Sequence, residues 1–386
     1  MLICQLAVAL AAFLLPVIAP VAANDVDISP NFIGYYTSVM LIGATFSTLV
    51  TTGFVHRFGA LRVSQATLIF AGFGLAIVPL ATLPYAVYPV MLISALLIGI
   101  AYGPANPSSS HLLVKLAPSH VRGRVLSIKQ AAIPAGGATA GFAIPALEHF
   151  IGWKSTSLIV AVACIALAFL LQPWRRICDV DLHVGTPLRV TGISTAISLF
   201  KQNQGLRLLA AASGAFAATQ FCFIALFVTV AVTTTSYDLQ KVGLALSIGM
   251  TVSIGGRIFW GWVADYFEPR AVLGLLGLFM SICSFTSITL GPDWHYWGLV
   301  ALSIGFGCSG TSWQGVYLTE VARIAPRDKV TEATSCCMAA TFLGGLIGPG
   351  IAAIMTEISG NIAGGFVLIG AITLVFGIVY ITPYKH

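Results

Sequence analysis

Residues 53–59 read Gly53-Phe54-Val55-His56-Arg57-Phe58-Gly59, and residues 261–267 read Gly261-Trp262-Val263-Ala264-Asp265-Tyr266-Phe267. Each lies between two long apolar runs: 32–53 and 63–83 around the first, 240–263 and 270–291 around the second. The two stretches are 208 positions apart, and other features recur at that spacing. Gly99 falls on Gly307, Lys115 on Arg323, Ala117-Pro118 on Ala325-Pro326, Gly136-Gly137 on Gly344-Gly345, and Gly152 on Gly360. Matching features at one fixed offset mark an internal repeat.

A helix needs roughly 20 apolar residues to cross the hydrocarbon core of a bilayer. Besides the four runs above, the chain offers eight more, at 3–23, 86–112, 125–148, 154–173, 207–234, 295–319, 331–357 and 362–382. The chain is 58% hydrophobic and only 8% charged, whereas a soluble domain carries about a quarter of its residues as charges. The expected fold is therefore an all-α membrane protein of twelve transmembrane helices in two pseudo-symmetric six-helix bundles. The bundles are expected at 1–173 and 206–386, joined by a linker at 174–205. The first run ends in Val21-Ala22-Ala23, which resembles a cleavage site, but the repeat gives it a partner in the second half and it is read as helix 1.

Of the 19 basic residues, fifteen fall on the side of the linker and only Lys154 and Lys241 fall opposite. The opposite loops carry Asp25, Asp27, Glu148, Asp238, Asp293 and Glu357. The positive-inside rule then predicts a multi-pass protein of the inner or plasma membrane with both termini cytoplasmic. Read this way, the net charge of +6 is a topology signal, and no nucleic-acid partner is expected. Nearly all of the eight cysteines lie in apolar runs, without metal or disulfide spacing, and they read as small fillers. No metal, cofactor or enzyme motif is found: HExxH, GxSxG, the P-loop and paired carboxylates at useful depth are all missing.

Parallel six-helix repeats are the architecture of secondary transporters, with a site near the midplane between the halves. The two loop stretches resemble the Major Facilitator Superfamily motif Gly-x-x-x-Asp-Arg-x-Gly-Arg-Arg, and the resemblance spans nearly the whole chain. In the first copy Gly53, Arg57, Gly59 and Arg62 remain while His56 replaces the acid; in the second, Gly261, Asp265 and Arg270 remain while Tyr266 and Glu268 replace basic positions. The resemblance implies a cytoplasmic charge latch, with Asp265 as its acid. Ser127-Ile128-Lys129-Gln130, Pro134, Gly152-Trp153 and Gly315-Val316-Tyr317-Leu318 are in addition similar to the cyanate and nitroimidazole permease-like subgroup. The family's antiporter signature Gly-Pro-x-x-Gly-Gly is missed by one residue at Pro134-Ala135-Gly136-Gly137.

An ionisable group inside a span is by default a functional candidate. Lys129 lies about 7 Å above Arg124, and Arg257 about 12 Å above Asp265, at 1.5 Å per residue. No Asp or Glu lies near the middle of any span. Cations without embedded acids predict a small anionic substrate, and Arg suits oxyanions through its planar fork of donors. Asn106 and Gln314 are repeat-related amides, and they join Arg257, Lys129, Gln130, Trp313 and Tyr102 as candidate substrate contacts. Gly136, Gly137, Gly141, Gly344, Gly345 and Gly348 are expected to let helices approach closely. The expected function is gradient-driven transport of a small organic or inorganic anion by alternating access, by a monomer. The alternatives are efflux of hydrophobic compounds, favoured by Trp260, Trp262 and Trp313, and a non-transporting sensor on the same fold.

Overall fold

The computed structural model describes residues 1–116, 128–179, 203–326, 330–359 and 364–382. These are helical almost throughout, as apolar segments in hydrocarbon must be to satisfy their backbone groups internally. In chain order the helices are α1 (Leu2–Asp25), α2 (Phe32–Phe58), α3 (Ala60–Ala76), α4 (Val87–Leu116), α5 (Ala132–Leu170), α6 (Gln204–Thr234), α7 (Leu239–Tyr266), α8 (Pro269–Thr286), α9 (Tyr296–Cys308), α10 (Gln314–Ile324), α11 (Val330–Ser359) and α12 (Gly364–Ile381). Among the described residues ten helical stretches are long and apolar enough to cross a membrane. One of them, Ile128–Cys178, has 51 residues, the length of two spans.

That stretch is broken at Gly152, whose φ of +77° and ψ of 160° interrupt α5. Only glycine adopts such a backbone without strain, so the expected boundary between spans five and six is written into one residue. Beside it, the Trp153 indole N–H donates to Asp25 Oδ2 at 3.0 Å and Lys154 Nζ lies 3.1 Å from the same oxygen. The expected tenth span, 295–319, is not one helix. It unwinds over Ser309–Trp313 and resumes as α10.

The helices sort into two units: Met1–Pro30 with Val39–Thr191, and Asn31–Ser38 with Gly192–His386. The start of α2 thus groups with the second unit. Of the expected linker, residues 180–202 lie outside the described residues. Its described ends are a helical turn at Arg175–Cys178 and Asn203, which caps α6 by accepting from the Leu206 N–H.

Within each unit the glycines set the helix crossings. In the first, α1 packs on α5, where a Cβ on Gly136 would fall 2.9 Å from the Leu6 carbonyl oxygen. The segment 3–23 is accordingly an integral core helix. In the second, the repeat-related pair α6 and α11 packs still closer: a Cβ on Gly344 would fall 1.9 Å from the Gly214 carbonyl oxygen, and one on Gly348 2.7 Å from Ala218. Gly99 and Gly307 repeat the device, each seated on a carbonyl oxygen of another helix, Met40 and Gly249. Gly137, Gly141 and Gly345 are buried as well.

Backbone atoms cannot yield as a side-chain tip can, so Gly344→Ala is expected to destabilise by about 1–3 kcal/mol, the usual range for overpacking. Gly255 in α7 meets nothing within 4 Å, and there Gly→Ala is expected to be neutral or to stabilise by up to about 1 kcal/mol. Thermal unfolding of the two variants in detergent, side by side, checks the contrast.

Candidate functional site

The second unit places its intramembrane cation against the break in the helix. Ser309-Gly310-Thr311-Ser312 is a run in which hydroxyls compete with the backbone for carbonyls. Ser309 Oγ donates to the Gly305 carbonyl at 2.7 Å, Thr311 Oγ1 to Gly307 at 2.9 Å and Ser312 Oγ to Gly307 at 2.7 Å. The carbonyls that lose their helical partners are met from α7. Arg257 Nε donates to Thr311 O at 3.1 Å and the Trp260 indole N–H to Cys308 O at 2.7 Å. Ser253, also on α7, accepts from Thr311 Oγ1 at 2.6 Å. The half-buried Arg257 is therefore held by the unwound backbone, and Asp265 on the same helix is exposed.

Trp313 has no exposed surface. Its ring packs edge-on against Phe216 and Tyr317, and its N–H donates to Gln220 Oε1 at 3.0 Å. It packs in the core cluster of the unit. Gln314, half-buried at the start of α10, and Gly315, where a Cβ would meet nothing, lie immediately after it. Further along α10, Glu320 is 3% exposed and binds Arg323 through both oxygens, at 2.7 and 2.8 Å. That hydrogen bond holds the Arg323 guanidinium above its ordinary value.

In the first unit Lys129 is 1% exposed. Its ammonium donates to the Asn106 carbonyl at 2.8 Å, to the Asn106 side-chain oxygen and to Ser110 Oγ at 2.9 Å. An ammonium has three donors, and all three are engaged by neutral groups of α4. Asn106 is thus joined to Lys129. Tyr102 and Gln130 are half-buried and near Asn106 and Lys129 in sequence. Ser110, and Gln5 on α1, were not among the candidates. A lone glutamine in an apolar run gives no sequence signal of what it faces.

The first loop stretch also holds a residue that the motif does not reveal. Gly59, at φ +97°, precedes α3 and has no side chain to cap it. Asp179 fills the role: Oδ1 accepts from the Leu61 N–H at 2.9 Å and Oδ2 from the Arg62 N–H at 3.0 Å. A Cβ on Gly59 would fall 2.1 Å from the Asp179 carboxyl carbon. His56, in the place of the motif's acid, stacks edge-on with His111 at 5.5 Å, and Arg57 lies over Phe58. In the second stretch Arg270 donates to the Val379 and Thr382 carbonyls at 3.0 and 3.3 Å, closing the end of α12.

Residues 1–320 match the profile of the Major Facilitator Superfamily. The chain belongs to that superfamily. It is similar to monocarboxylate transporter 11 of Homo sapiens, 26% identical over 280 residues that make up 67% of this chain and 56% of that one. It is also similar to the probable galactarate/D-glucarate transporter GudP of Escherichia coli (strain K12), 23% identical and covering 75% of this chain and 72% of that one. The chain spans little more than half the length of the first of these relatives. The crystal structure of nucleoside transporter NupG has the same fold, with a TM-score of 0.78 at 14% identity, covering 98% of this chain and 97% of that one.

In this superfamily member the first loop is built as a helix cap. Because Gly59 holds a backbone region nearly closed to other residues, Gly59→Ala is expected to destabilise by about 1–3 kcal/mol. Asp179→Ala, which removes a cap, is expected to destabilise by about 1 kcal/mol. The two should be strongly non-additive, since either change alone unseats the same carboxylate. Melting temperatures of the single and double variants check this, and simple additivity would contradict it.

Proposed function

We propose that the chain is a secondary transporter that carries a small organic or inorganic anion by alternating access, with Arg257 as the group that binds it. The observation that carries the reading is the seat of Arg257: a guanidinium held by an unwound membrane segment, in a helix whose only acid, Asp265, lies in its last turn. A guanidinium's planar fork of donors suits the two oxygens of a carboxylate. The names of two relatives, a monocarboxylate and a galactarate/D-glucarate transporter, support a carboxylate cargo. The short motifs shared with cyanate and nitroimidazole permease-like proteins are compatible with the same charge.

With no nucleotide-binding motif in the sequence, the driving force is a gradient. Placement in the inner or plasma membrane with both termini cytoplasmic follows from the distribution of basic residues, and action as a monomer is the simplest form of this reading. Asp265 as latch acid is a second-order part of it.

Counterflow of a panel of small anions in proteoliposomes, with wild type and Arg257→Gln compared, tests the proposal. Loss of a hydrogen bond to a charged group removes about 1.5–3 kcal/mol, so the half-saturating concentration is expected to rise roughly 10- to 100-fold. An anion exchanged equally by both proteins would refute the assignment of Arg257. Sensitisation of cells to lipophilic drugs on deletion, without anion exchange, would replace it with hydrophobic efflux. Ligand binding without any counterflow would point to a sensor.

A further inference from the structure

The interior of the first unit holds a charge that its surroundings do not balance. Lys129 bonds only to neutral groups among the described residues. The helices around it supply no acid: α4 has none, and the one acid of α1, Asp25, is twenty residues from Gln5, roughly 30 Å along the helix. A buried charge is normally paired, because leaving it unpaired costs several kcal/mol. The fold itself does not call for this lysine. At the repeat-related position of the second unit stands Cys337, buried and neutral, while Gln5 maps on Ser213 and Asn106 on Gln314.

A second group in the same cluster lacks a partner. Gln5 is 3% exposed; its Oε1 lies 3.4 Å from Ser109 Oγ, whose proton goes to the Ala105 carbonyl at 2.6 Å, and its Nε2 meets no acceptor among the described residues. Ser109 Oγ also reaches the Asn106 carbonyl at 3.0 Å, the carbonyl that Lys129 Nζ reaches at 2.8 Å. An unbalanced ammonium and an unfilled amide donor therefore belong to one connected set on α1, α4 and the turn at 128–130. A carboxylate offers two acceptor oxygens and one negative charge, which is what this set lacks.

We infer that Lys129 and Gln5 form a carboxylate site, in which the Asn106 side-chain oxygen stands in for one carboxylate oxygen until the anion arrives. An ion pair in a low-dielectric interior is stronger than an ion–amide contact, so the anion displaces Asn106 from the ammonium, and Gln5 Nε2 donates to the second oxygen. The inference rests on the proposed anion transport and adds to it the head group recognised and two residues that act on it.

The test is counterflow of radiolabelled pyruvate, benzoate and D-glucarate in proteoliposomes, with melting temperatures measured in detergent. Asn106→Asp installs a permanent counter-charge on Lys129. It is expected to raise the half-saturating concentration at least tenfold while the melting temperature holds or rises, a combination that a merely structural role would not give. Gln5→Met removes the unfilled donor and is expected to raise half-saturation several-fold without loss of stability; it decides alone if Asn106→Asp does not fold. Wild-type half-saturation in the decisive variant, with exchange still lost in Arg257→Gln, would overturn this inference and leave the proposed function standing. Effects of Asn106→Asp and Gln5→Met with Arg257→Gln unaffected would do the reverse. No exchange of any of the three acids by wild type would overturn both.

Discussion

A backbone N–H or C=O in hydrocarbon must have a partner within the protein, and the second unit meets this demand with side chains at a place where the helix fails to provide it. Between α9 and α10 the chain gives up its ladder over Ser309–Trp313. What makes this tolerable is side chains: three hydroxyls from the run itself and, from α7, the Arg257 guanidinium and the Trp260 indole. The relation works in both directions. The break supplies the carbonyl that orients the arginine, and without the arginine and tryptophan two carbonyls would be left unmet. A charge that is costly to bury is thus fixed in position by the structure's own irregularity.

The two units share their scaffold and differ in their chemistry. Gly136 and Gly344 bring the same helices together in each, and Gly99 and Gly307 another pair. Small residues of this kind are the means of close packing where no hydrophobic force acts between helices, which is why the repeat is clearest in its glycines. The embedded cations do not follow it. Position 257 pairs with Leu49 and position 129 with Cys337, so each unit took up a different cation on a different helix. Yet both cations reach the same element of the repeat, the α4 stretch near Asn106 in one unit and the break before Gln314 in the other. Pro104 and Pro107 remove backbone donors in the first, and Ser309–Ser312 divert carbonyls in the second.

This division explains what could be read from the sequence. Membrane class, the repeat and the embedded cations depend on composition and spacing, which are local quantities, and the amides paired at 106 and 314 came from the offset of 208. The break at 309–313 was hidden because Cys308, Trp313 and their neighbours keep the run apolar enough to pass as one span. The surroundings of Trp313 were hidden for a related reason: an aromatic beside an amide gives no indication of what it packs on, and here it faces Phe216 and Gln220. Asp179 and Gln5 act across 118 and 104 residues of sequence respectively. No periodicity links an acid beyond span six to the glycine before α3, although a helix start with glycine at its cap already implies an acceptor from elsewhere.

The neutral partners of Lys129 also bear on how its proposed carboxylate site stands when empty. An arginine or lysine paired with a buried carboxylate would be satisfied at all times, and an arriving anion would have to compete with a full charge. Left with no acceptor at all, it would carry the whole desolvation penalty whenever the cargo was absent. A carboxamide and a hydroxyl for Lys129 lie between these extremes. They satisfy the geometry of the donors while leaving the charge unbalanced, so the empty site is held together but retains its attraction for an anion. For that reason the absence of acids from the middle of the spans is as informative as the presence of the two bases.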